Sequence, residues 1–131
     1  MKLGKILLSS ILLIGTLSAE DIMQKSMSTM EQGMTKIQKG FLNNNVDLIK
    51  EGSMLVKEGN ALFSDTKVIK EYLPADKKHM ANVAANSSER IALDINVLEL
   101  NLDNKAYLNA ANAYSDMLNA CSKCHAIVRK W

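Results

Sequence analysis

Met23, Met27, Met30, Met34, Ile37 and Phe41 recur at alternating spacings of four and three residues. That is the period of one apolar face of an α-helix, held over about five turns. Pro74 is the only proline in the 131 residues, and no segment shows the β-branched alternation of a half-buried strand. The chain is therefore expected to be all-α.

Four helical segments can be read. The first runs from about Asp21 to Leu42 and ends at Asn43-Asn44-Asn45, whose side chains compete for backbone hydrogen bonds. The second, from about Val46 to Phe63, carries Ile49, Leu55, Val56 and Leu62. Its glycines, Gly52 and Gly59, cost helix propensity and point to close approach by a neighbour or a ligand. A long connection, roughly Ser64 to Ala75, joins the two halves. Asp76 is a suitable N-cap for a third helix to about Leu102, with Met80, Val83, Ala84, Ile91, Ile95 and Leu98 facing inward. Asp103 or Asn104 would cap the fourth, whose inner stripe is Tyr107, Ala111, Tyr114, Leu118, Cys121, Cys124, His125 and Val128. Short turns between most segments favour antiparallel neighbours, hence an up-down-up-down four-helix bundle.

The two cysteines of the chain fall in Cys121-Ser122-Lys123-Cys124-His125, the C-x-x-C-H attachment pattern of haem c. Thiols three residues apart on a helix share a face, so both can form thioethers with the vinyl groups of one porphyrin. The adjacent His125 is then placed to bind iron. A disulfide, a dithiol or a zinc site would use the same cysteines. Zinc needs about four ligands, and His79 is the only other histidine. One covalently attached haem c is the expectation.

The N-terminus points the same way. Met1-Lys2-Leu3-Gly4-Lys5 is basic, Ile6 to Leu17 is mostly apolar, and Leu17-Ser18-Ala19 precedes Glu20-Asp21. This is the layout of a secretory signal peptide over residues 1–19, too short for a confident span of ~20 residues. Haem c is attached outside the cytoplasm, so a periplasmic location is expected. Residues 20–131 then form one domain with one core. Lys2 and Lys5 leave with the leader, so the formal +2 of the full chain falls to neutrality and is no sign of nucleic-acid or membrane binding.

A leader, four helices and a lone haem motif near the C-terminus resemble the class II cytochromes c, the family of cytochrome c prime. Cys121 through Arg129 matches the family's C-x-x-C-H-x-x-x-R. The resemblance implies a haem held by Cys121, Cys124 and His125, with Arg129 on its proximal side, beside a propionate or the pocket. It also makes homodimerisation possible. The first helix departs from many members in having no arginine.

The sixth iron position depends on depth. His125 lies about five residues, or ~7.5 Å, from the end of its helix. An antiparallel first helix places Met27 near that level, with Met23 and Met30 one turn to either side and Met34 deeper. Family alignment also favours Met27, implied to be a metal ligand with His125. The seam can equally be adaptable core packing, leaving the site open. Two functions follow. Histidine–methionine ligation implies an electron carrier with transient redox partners. An open, apolar sixth site implies a binder of nitric oxide or carbon monoxide. A haem-free bundle acting as a binding protein is a third reading. No nucleophile–base pair is legible, so an enzyme is not expected.

Overall fold

A computed structural model describes the backbone of residues 19–129 and the side chains of 22–128. The expected leader, apart from Ala19, lies outside the described residues, as do the Arg129 side chain and Trp131. The described residues form five α-helices: α1 (Ala19–Leu42), α2 (Val46–Asn60), α3 (Thr66–Tyr72), α4 (Ala81–Asp103) and α5 (Tyr107–Arg129). Two 3-10 turns, Ala61–Ser64 and Ala75–Met80, flank α3. The described residues contain no strand, and none of their helices is long and apolar enough to cross a membrane. The all-α expectation holds.

α1 and α2 form one antiparallel hairpin and α4 and α5 another, with α2 beside α4. The first turn uses Asn44 in the left-handed region at φ 53°. Asn45 then caps α2, its side chain accepting from the Leu48 N–H at 3.0 Å. Asparagine tolerates that backbone better than most residues, so the Asn43–Asn45 break acts as a turn.

The α1–α2 contact is set by glycine. A β-carbon on Gly33 would lie 2.6 Å from the Gly52 carbonyl oxygen, and one on Gly52 would lie 2.6 Å from the Gly33 carbonyl oxygen. Gly40 meets Asn45 and Ile49, while Gly59 meets Ser26 and Met30. The Ser26 hydroxyl donates to the Gly59 carbonyl. Close approach at Gly52 and Gly59 is thus confirmed, and the neighbour is α1.

Polar ties fix the other helix pairs. Lys50 bridges Asp103 at 2.8 Å and Lys57 bridges Glu99 at 2.6 Å, both linking α2 to α4. Arg90 grips the buried Asp94 one turn along α4 and reaches Asp116 on α5 at 3.1 Å. Between the helices, Ile37, Ile95, Leu98 and Met117 are fully buried.

Four expectations need correction. The Ser64–Ala75 connection contains α3, because Asp65 caps it by accepting from Lys67 N–H at 2.7 Å and Ile69 and Leu73 turn inward. The third expected helix starts as α4 at Ala81; Asp76 lies instead in the 3-10 turn before it. Neither Asp103 nor Asn104 caps α5: Asp103 ends α4, Asn104 follows as its C-cap, and Lys105 turns the chain at φ 56°. The inner stripe of α5 is also shifted, for Tyr107 is exposed while Ala110, Ala113, Met117 and Ala120 are buried.

Gly52→Ala should lower stability by about 1–3 kcal/mol, because the added methyl has no room against the Gly33 backbone. In an open helix the same change would gain about 1 kcal/mol. Urea denaturation therefore gives opposite signs for a close contact and a loose one.

Candidate functional site

The inward faces of α1 and α5 do not pack backbone to backbone; they meet across a cavity of about 500 Å³. α5 contributes Cys121, Ser122, Cys124, His125 and Val128, with Leu118 one turn deeper. α1 contributes Met23, Met27, Met30 and Met34, with exposed Glu31 at the rim. Phe63, from the turn after α2, and Ile69, Tyr72 and Leu73, from the α3 segment, close a third side. Ala84, Ser87, Ser88 and Ile91 of α4 complete the wall. At the far end, Phe41 of α1 meets Tyr114 of α5, ring centroids 6.2 Å apart and planes tilted by 55°.

Helix geometry explains why α1 has two working faces. Ser26, Gly33 and Gly40 repeat every seven residues and lie about a quarter turn from the methionines at 100° per residue. One face meets α2; the next lines the cavity. Met30 sits between the two, buried, with its Cγ against Gly59. Met23, Met27 and Met34 are half-buried and packed at the edge of the core.

On α5, Cys121 and Cys124 are half-buried thiols on one face, and His125 follows on the same wall. Burial pushes the Cys121 thiol above its ordinary range, and the charge of neighbouring Cys124 adds to the rise. Burial likewise raises the Tyr114 phenol, with a smaller push from Cys121. Among the described residues, no group of three or more His, Cys, Asp or Glu side chains is arranged to hold a metal ion. His79 is exposed on the 3-10 turn and does not line the cavity.

The structure therefore gathers Cys121, Cys124, His125 and Met27 around one hollow, with Met23, Met30 and Met34 beside Met27. Arg129 is the final residue of α5, one turn past His125, and its side chain lies outside the described residues. Sequence reasoning did not find Tyr72, Leu73 or Asn60 as wall residues. The Asp65 cap with Ile69, Tyr72 and Leu73 at helical spacing is the signal that marks the first two.

The wall is mostly apolar. Methionine side chains adapt to such a surface, and two thiols with an imidazole supply covalent and ligating atoms on one side. Comparison of the chain with known protein families, with curated protein sequences and with solved structures finds no match in any of the three.

A raised Cys121 pKa means the folded state holds its proton more tightly than the unfolded one. The associated stability is complete below the unfolded value of about 8.5 and is lost as pH rises through the folded one. Between about pH 7 and about pH 10, the cofactor-free wild type should therefore lose more urea resistance than Cys121→Ser. Equal losses would show that the Cys121 thiol is as well solvated folded as unfolded.

Proposed function

We propose that the cavity is a haem c site and that the protein is a periplasmic single-haem cytochrome of the class II kind, acting as an electron carrier. The observation that carries this reading is the C-x-x-C-H segment lining the same apolar hollow as the methionine seam. When bound, the haem supplies one-electron chemistry by moving between ferrous and ferric iron.

The residues divide the work. The Cys121 and Cys124 sulfurs would hold the haem through thioethers to its vinyl groups, on the α5 wall. His125 would hold the iron through an imidazole nitrogen, and Met27 would hold it through its thioether, a ligand pair that suits electron transfer. Met30 is the weaker candidate, since its side chain is already packed against Gly59. Ile69, Leu73, Ile91 and Val128 exclude water from the ring. Arg129, one turn past His125 on α5, would stand on the proximal side of the haem, beside a propionate or the pocket. The leader over residues 1–19 directs export and is then removed. Partners are redox proteins that dock transiently, and two copies pairing as a homodimer is compatible with this role. This reading includes no nucleic acid, no stable membrane insertion and no catalysis on a substrate.

The apolar lining also favours a second reading, a five-coordinate binder of nitric oxide or carbon monoxide. Small neutral ligands enter such a wall without the cost of burying charge. In that case the methionines pack beside the iron without binding it.

Replacing both Cys121 and Cys124 with serine should abolish haem that survives a denaturing gel, while either single change should weaken attachment. Persistence of the band in the double variant would overturn the assignment.

Visible spectra of the oxidised and reduced protein separate the two roles. Sharp split bands on reduction, with a weak far-red band in the oxidised form, are expected for histidine–methionine ligation. Met27→Ala should convert that spectrum to high-spin. Broad reduced bands that move with carbon monoxide would place gas binding first.

A further inference from the structure

Among the described residues, the Asn60 side-chain oxygen is the buried side-chain polar atom that no donor in the protein reaches. Asn60 is 6% exposed, and its Nδ2 donates to the Ser88 carbonyl at 2.9 Å. That bond fixes the side-chain plane and leaves Oδ1 as an acceptor. A buried acceptor without a donor is costly, and native proteins satisfy nearly all of them with protein or ordered water.

The surroundings show where the donor belongs. Asn60 and Ser88 stand in the walls of two hollows at once, the central cavity and a polar surface hollow of about 580 Å³. Lys57, Asn86, Glu89 and Asn96 line the polar hollow. On the other side, Ser87 joins Asn60 and Ser88 in the wall of the central cavity. Both serines are nearly fully buried. Their hydroxyls each donate and accept. One amide oxygen and two hydroxyls give an internal water the two to four partners it needs.

We propose that Asn60, Ser87 and Ser88 hold an internal water in the partition between the hollows, and that this hydrated partition is a second route by which water enters the central cavity. The water completes the Asn60 oxygen, and the polar hollow exchanges it with solvent.

The test uses the full chain without cofactor, so that it stands apart from the haem reading. A high-resolution crystal structure should show a water within hydrogen-bond distance of Asn60 Oδ1 and of a Ser87 or Ser88 hydroxyl. Magnetic relaxation dispersion of labelled water then gives its residence time. Ala92 is exposed and lines the polar hollow, so Ala92→Trp obstructs that side without entering the core. It should lengthen the residence time several-fold. A dry partition would overturn the site. A bound water whose residence time ignores Ala92→Trp would overturn the route, because exchange would then run through the mouth of the central cavity.

Discussion

The contact between Gly33 and Gly52 is the constraint on which the other arrangements rest. Two helices can approach until the carbonyl of each faces the α-carbon of the other only where neither has a side chain. The spacing of seven between Gly33 and Gly40, and between Gly52 and Gly59, extends that approach along the hairpin. With α1 held so closely to α2, its methionine face is rotated about a quarter turn away from the contact. Apart from Met30, which packs on Gly59, that face is not packed along α2 or along the backbone of α5. It is left to line the hollow.

The second hairpin is held by different chemistry. Arg90 ties the buried Asp94 to Asp116 across α4 and α5, and the small residues Ala110, Ala113 and Ala120 bring α5 inward. The hairpins join along α2 and α4 through Lys50–Asp103, Lys57–Glu99 and the Ser53 hydroxyl on Glu99 at 2.9 Å. Exposed ion pairs of this kind select register more than they stabilise. The opposite seam, between α1 and α5, is pinned at Phe41–Tyr114 and spread apart below it.

Much of this was legible from the chain. The period of Met23 to Phe41 marks α1 and its inward face, and C-x-x-C-H marks the wall it confronts. What escaped had local signals too weak or too ambiguous. Gly33 and Gly40 look like ordinary helix defects until Gly52 and Gly59 are set against them. α3 spans only Thr66–Tyr72, about two turns, too short for periodicity to stand out. Lys105 takes a left-handed conformation that nothing about lysine announces. Asn60 reads as a common residue near a helix end, and its orphan oxygen emerges only when Ser88 engages the amide nitrogen.

The division into two hairpins has a consequence for how the molecule opens. Each hairpin closes through a three-residue turn, so its internal contacts are local and re-form quickly. The hollow joins residues such as Met27 and Cys121, far apart in the sequence and brought together only when the hairpins dock. Proteins open in cooperative units that often coincide with such motifs. A partial opening that separates α1 from α5 would expose the entire hollow while both hairpins remain folded. Such an opening admits a bulky, rigid group by relative movement of two intact units, without unfolding of the chain.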